Sequence, residues 1–162
     1  MTAKVSQNDI KRFKRLLEDY SALQMDIAIY QNIIDQYQEN IEAIFEVKAI
    51  NYEQLASGSS DPLKKQRLYL SMVDRQKFYE EKTKDTRQKL ETIERYRRSC
   101  GDISESAFRL YCLKKDPATA EAYSFDREAE RLFLSRMTLR RKIDRSISHF
   151  LKVGTPHSLF MC

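Results

Sequence analysis

Five cations, Arg136, Arg140, Arg141, Lys142 and Arg145, stand close together in the run LSRMTLRRKIDR. They are the residues of this chain best placed to do chemistry with a partner. With Lys152 they give six positive charges over residues 135–152 against the single acid Asp144. That net of +5 equals the excess of the whole 162-residue chain. Guanidinium groups held on one side of a helix match phosphate oxygens and the O6/N7 edge of guanine. Ser135 and Thr138 place small hydroxyls at the start of the same segment. The other reactive side chains do not assemble. His149 and His157 are the only histidines, and neither has Cys, Asp or Glu at metal-ligand spacing. Cys100, Cys112 and Cys162 are odd in number and irregularly spaced. This argues against a disulfide framework or a zinc site and for a reducing compartment. Cys112 reads as a core residue rather than a nucleophile, and no Gly-rich phosphate loop occurs. The sequence therefore predicts no enzyme, no metal and no cofactor, and its positive balance favours an anionic partner.

The elements that must hold this segment are helical. Only three Gly and three Pro occur, so there are few places to turn, and 41% hydrophobic with 33% charged residues suits an all-α fold. Phe13, Leu16, Tyr20, Leu23, Ile27, Tyr30, Ile34, Tyr37, Ile41 and Ile44 step by three and four without a miss, which is a heptad seam. Leu17, Ile33, Phe45 and Val47 widen the stripe, so more than one partner helix is expected. Asn8 or Asp9 is the expected N-cap. ASGSSDP at 56–62 breaks the pattern, with Asp61 as a cap and Pro62 in the first helical position. A weaker seam follows through Tyr69, Met72, Gln76, Tyr79, Thr83, Thr86, Leu90, Ile93, Arg97 and Cys100. Residues 16–60 carry eight acids against Lys48, a net of −7, while 64–98 carry twelve cations against six acids, a net of +6. These opposed blocks predict an antiparallel, coiled-coil-like hairpin over 8–100. Two helices bury too little to stand alone, so the hairpin is expected to form a homodimer or to dock on the C-terminal part, with the homodimer favoured. Most of the nine Tyr fall on these seams and read as packing.

Gly101 closes the second helix, and Asp102 or Ser104 is expected to cap the next. SESAFRLYCLKK forms a short amphipathic helix with Phe108, Leu110, Tyr111 and Leu113 inward, ended by Asp116-Pro117. PATAEAY is a loop or a further helical turn. Ser124 caps a helix over 125–133 with Phe125, Ala129 and Leu132 inward. Leu134 lies in the turn, and Ser135 caps a longer helix with Leu139, Ile143, Ile147, Phe150 and Leu151 inward. This is the layout of a three-helix, helix-turn-helix module over 101–153, with a flexible tail at 154–162. No apolar run of membrane-spanning length exists and the N-terminus lacks an apolar signal core, so a cytoplasmic protein without membrane contact is expected.

The spacing Ser124, Glu128, Ala129, Leu132, Leu134, Ser135, Thr138, Leu139, Arg141, Ile143 resembles the helix-turn-helix of sigma-factor region 4. With the hairpin in front, the chain resembles the small phage-encoded transcriptional regulators of Gram-positive prophages, of the ArpU and RinA type. Where their pattern has Ile and Gly, this chain has Glu128 and Phe133. Glu128 either shifts the register by one or pairs with a nearby Arg. The resemblance implies a sequence-specific DNA-binding regulator acting in a bacterial host at the nucleoid, with double-stranded DNA as partner. Ser135 and the backbone amides after it would meet a phosphate. Arg136, Arg140 and Arg141 would reach guanine edges, Thr138 a thymine methyl or phosphate, and Lys142 and Arg145 the backbone. Whether the acidic first helix touches RNA polymerase stays open. The other readings are a small-terminase-like DNA-packaging subunit and a helical adaptor or anti-repressor.

Overall fold

The computed structural model of the chain describes residues 5–51 and 62–154. These form six α-helices: α1 (Gln7–Glu18), α2 (Tyr20–Asn51), α3 (Pro62–Ser99), α4 (Asp102–Phe108), α5 (Phe125–Arg131) and α6 (Arg136–Gly154). A π-helical turn, Arg109–Leu113, continues α4. The fold is all-α, and no helix among the described residues is long and apolar enough to cross a membrane. The expected Asp61 cap and the tail beyond Gly154 lie outside the described residues.

Helix α1 starts earlier than expected. Ser6, not Asn8 or Asp9, is the N-cap: its hydroxyl accepts the Asp9 N–H at 3.2 Å, and the Asp9 carboxylate accepts the Ser6 N–H at 2.8 Å. This reciprocal pair satisfies two donors that the first helical turn leaves open. The expected continuous first helix is interrupted at Asp19, whose ψ is −1°. Its N–H still donates to the Arg15 carbonyl at 3.0 Å and its carbonyl still accepts from Leu23 at 2.9 Å, so the seam keeps its phase through the irregularity.

The chain divides into two compact units, Met1–Gln24 with Gln88–Cys162, and Met25–Arg87. These limits differ from the boundary expected near residue 100, because α1 and the last turns of α3 pack with the C-terminal helices. In the first unit Phe13 of α1, Tyr96 of α3 and Phe150 of α6 meet as a triangle of rings. The centroids are 5.1, 5.6 and 5.4 Å apart. Two of these contacts, Phe13–Tyr96 and Tyr96–Phe150, are edge-on and the third is tilted, and such contacts add to the area that each aromatic buries. Ser146 donates to the Ile143 carbonyl at 2.8 Å, so the Tyr96 hydroxyl is the donor in its own 2.8 Å bond to Ser146. Burial in these surroundings raises the Tyr96 pKa.

Gly101 ends α3 at φ +56°, a region that favours a residue without Cβ. Neither Asp102 nor Ser104 serves as the N-cap of α4, since that position is Gly101 itself. The Ser104 hydroxyl instead ties back to α3, accepting from the Cys100 N–H at 3.2 Å and donating to the Arg97 carbonyl at 2.6 Å. Arg97, a polar member of the second seam, holds Glu105 with two bonds of 2.7 and 3.2 Å and lies 4.4 Å over the Phe108 ring. Those hydrogen bonds, opposed by partial burial, keep the Glu105 carboxyl below its ordinary 4.5. PATAEAY is a closed loop that includes one turn, in which the Ala120 N–H donates to the Asp116 carbonyl at 2.8 Å. Lys115 and Ala122 form an isolated antiparallel bridge, and the Tyr123 N–H donates to the Lys114 carbonyl at 2.9 Å.

In the second unit α2 and α3 lie side by side, with Tyr30 and Tyr37 against Tyr79 and Gln76 bonded to Gln38 at 3.0 Å. Rising numbers on α2 meet falling numbers on α3, so this pair runs antiparallel. The expected meeting of opposite charges is not found: no ion pair joins α2 to α3 among the described residues. The directed contacts between them are these tyrosine rings and the amide pair.

Phe13→Ala should lower the unfolding free energy by about 3–5 kcal/mol in denaturant titrations, since it empties the centre of the triangle. Tyr96→Phe, which removes only the bond to Ser146, should cost about 1 kcal/mol. A Glu105→Gln variant should lose the part of the acid sensitivity that appears as pH falls below 4.5. A carboxyl with a lowered folded pKa stabilises above its unfolded value and stops doing so as it protonates.

Candidate nucleic-acid interface

Ser124 caps α5 as expected, accepting the Arg127 N–H at 3.2 Å. One face of α5 packs inward through Ala129, which is 3% exposed, with Phe125 and Leu132 partly buried. Glu128 lies on that buried side too, at 4% exposure. It pairs with arginine, and the register does not shift. Its carboxylate accepts from the Ser106 hydroxyl at 2.8 Å and from Arg131 at 3.1 Å, and Arg109 lies 3.7 Å away. Arg131 also donates to Ser106 at 2.8 Å, closing the network. A carboxylate taken out of water is tolerable only when partnered in this way.

Helix α5 ends at Arg131, two residues short of the expectation, in a compact turn. The Phe133 N–H donates to the Glu130 carbonyl at 3.0 Å and the Leu134 N–H to the Ala129 carbonyl at 2.9 Å, the paired bonds of a Schellman motif. That motif requires a left-handed residue, and here it is Phe133, at φ +54°. Phe133 takes the conformation usually left to Gly, with its side chain 97% exposed.

Ser135 then caps α6, accepting the Thr138 N–H at 3.2 Å and bonding the Thr138 hydroxyl at 2.8 Å. Both hydroxyls are therefore engaged with each other at the helix start. Leu139, Ile143 and Ile147 are fully buried and Phe150 nearly so. Arg136, Arg140, Arg141, Lys142 and Arg145 are all exposed. They do not share one environment. Arg136 reaches back to Asp126 at 3.5 Å, and Arg140 lies 4.8 Å over the Phe125 ring. Arg141, Lys142 and Arg145 make no ion pair or hydrogen bond among the described residues.

Asp144, the one acid of α6, is drawn to the flank by Lys14 of α1 at 2.5 Å. Burial lowers the Lys14 pKa, but the bond and charge of Asp144, with Tyr111 beside it, outweigh burial and raise it. Met137, Arg141, Arg145 and Lys152 then form an exposed line along α6, with the partly buried Ser148 completing the steps of four, four, three and four. Met137 is 63% exposed, and His149 and Lys152 are exposed as well. Sequence reasoning left out Met137, Ser148, His149 and Lys152, although counting outward from Arg141 by turns finds all but His149. Cys112 is buried, and burial pushes its thiol up to about 12, which leaves no thiolate for chemistry. Among the described residues no group of three His, Cys, Asp or Glu could hold a metal ion.

The chain matches no protein-family model, no curated protein and no solved structure. Two opposite effects on stability follow from this geometry. Glu128→Ala should cost about 3 kcal/mol, because it leaves Arg131 and Ser106 without their acceptor. Phe133→Gly should raise stability by about 1 kcal/mol by removing the left-handed penalty. Denaturant midpoints of the two variants should move to opposite sides of the parent.

Proposed function

We propose that the chain binds double-stranded DNA through the outer face of α6 and acts as a non-catalytic transcriptional regulator of the phage type it resembles. The observation that carries this reading is the unpaired cationic line of α6. Arg141, Lys142 and Arg145 are exposed and have no ion pair or hydrogen bond among the described residues, while Leu139, Ile143 and Ile147 on the opposite side are fully buried. A rigid helix with one apolar side in the core and one cationic side in water is what insertion into a major groove requires. Arg141 is the residue for a guanine edge, and Lys142, Arg145 and Lys152 grip the phosphates. Arg136 and Arg140 first have to leave Asp126 and Phe125, and each is a weak, exposed attachment. Ser135 and Thr138 hold the helix start, and Met137 faces the groove beside Arg141. One such module gives modest affinity, which favours two copies on two half-sites.

The test is a gel shift on duplexes recovered from a random-sequence pool. Arg141→Ala should cost about 1–3 kcal/mol of binding and relax sequence preference. Lys142→Ala and Arg145→Ala should each weaken binding to all duplexes and flatten the dependence of log affinity on log salt by about one unit. Unchanged affinity and salt slope in an Arg141→Ala, Arg145→Ala double variant would overturn the assignment.

A further inference from the structure

The Phe133 side chain costs the fold stability and returns nothing to it. Its backbone holds a left-handed φ of +54°, which favours a residue without Cβ. At 97% exposure it is also the most exposed large apolar side chain among the described residues. Lys114, another non-Gly residue at positive φ, differs, because its ammonium donates to the Glu18 carbonyl at 3.4 Å. Met137, the second residue of α6, is 63% exposed. Two large apolar side chains thus stand in water at the turn and the helix start that follows it.

Their surroundings restrict what can cover them. Arg136, Arg140 and Arg141 are exposed in the same stretch, and Arg141 stands one helical turn beyond Met137. Residues 133–143 contain no acid, and even with α5 included, residues 126–143 carry six cations against three acids. Of those three, Asp126 is held by Arg136 at 3.5 Å and Glu128 is buried in its own network. A partner for this surface must therefore offer apolar atoms beside anionic oxygens. A purely apolar surface would strip water from the guanidiniums without replacing it. The major groove of duplex DNA meets the requirement. Phosphates line its walls, and the C5-methyl of thymine is the apolar substituent on its base edges. The first residues of a helix lying in that groove are those that reach base edges.

We infer that Phe133 and Met137 contact thymine C5-methyl groups, so that this surface selects duplex sites by their thymines. Each methyl leaves water against an aromatic ring or a thioether, a gain that uracil in the same position does not give. The strained turn then has a use: it keeps an aromatic ring out of the core and ready for a partner. This inference rests on the DNA-binding reading of α6 and adds the base that the surface prefers.

Gel shifts of the full chain test it by comparing the duplex recovered from a random-sequence pool with the same duplex carrying deoxyuridine for every thymine. Deoxyuridine lacks only the methyl and keeps the hydrogen-bonding edges. The parent should bind the deoxyuridine duplex about fourfold more weakly for each methyl contacted. Phe133→Gly and Met137→Ala should each lose part of that preference, and the double variant should bind the two duplexes alike. Phe133→Gly is expected to be more stable than the parent, so unfolding does not account for its loss. Equal binding of both duplexes by the parent, or an undiminished preference in the double variant, would overturn the inference and leave α6 as a DNA-contacting surface. So would a recovered site without thymine. A parent that binds no duplex would overturn the underlying reading, and this inference with it.

Discussion

The triangle of Phe13, Tyr96 and Phe150 is the contact on which the larger unit depends. Its three rings come from α1, α3 and α6, which are far apart in sequence, and Tyr96 adds a directed bond to Ser146 on α6. Shape and hydrogen bonding together fix the rotation of α6 about its own axis. Once Ile143, Ile147 and Phe150 face inward, the positions of Arg141, Arg145 and Lys152 follow from helical geometry alone. The Lys14–Asp144 pair acts in the same sense, attaching α1 to α6 and removing the one acid from the outer line.

Around this core the structure accepts two local costs. A carboxylate is buried at Glu128, and a bulky residue takes a left-handed conformation at Phe133. The first is offset by Ser106, Arg131 and Arg109, which join α5 to α4 and to the π-helical turn after it. The second has no intramolecular return, because the Phe133 side chain is almost wholly in water. The turn between α5 and α6 is therefore geometrically well defined, with both hydrogen bonds of its motif made, yet not optimised for stability. Strain of this kind is commonest where a surface meets a partner.

Much of the helical framework was legible from spacing. All ten positions of the first seam, from Phe13 to Ile44, are buried or partly buried, as are all ten of the second, from Tyr69 to Cys100. The inward face of α6 and the caps at Ser124 and Ser135 were equally readable, because both depend on local chemistry. Heptad periodicity is indifferent to which partner a stretch faces. It therefore could not show that Phe13 and Leu17 belong with the C-terminal helices while Tyr30 and Tyr37 face Tyr79. The Ser6–Asp9 capping box is legible in the sequence as Ser-x-x-Asp, with Asp9 as its N3 partner rather than as the cap itself. Glu128 could be marked as out of place, but its partner Ser106 lies 22 residues away and no pattern pointed there. The charge blocks point to ion pairs between α2 and α3, yet the directed contacts there are made by Tyr79 and Gln76. Flanking charges on long side chains gain little by pairing in water and stay solvated.

The central claim is that the outer line of α6 is the DNA-contacting surface, and amide chemical-shift mapping tests it most directly. On titration of a selected duplex into the full chain, the account predicts shifts centred on Met137, Arg141, Arg145, Ser148 and Lys152. The amides of Tyr30 and Tyr79 should stay in place. Shifts absent from α6, or centred on α2 and α3 instead, would contradict it.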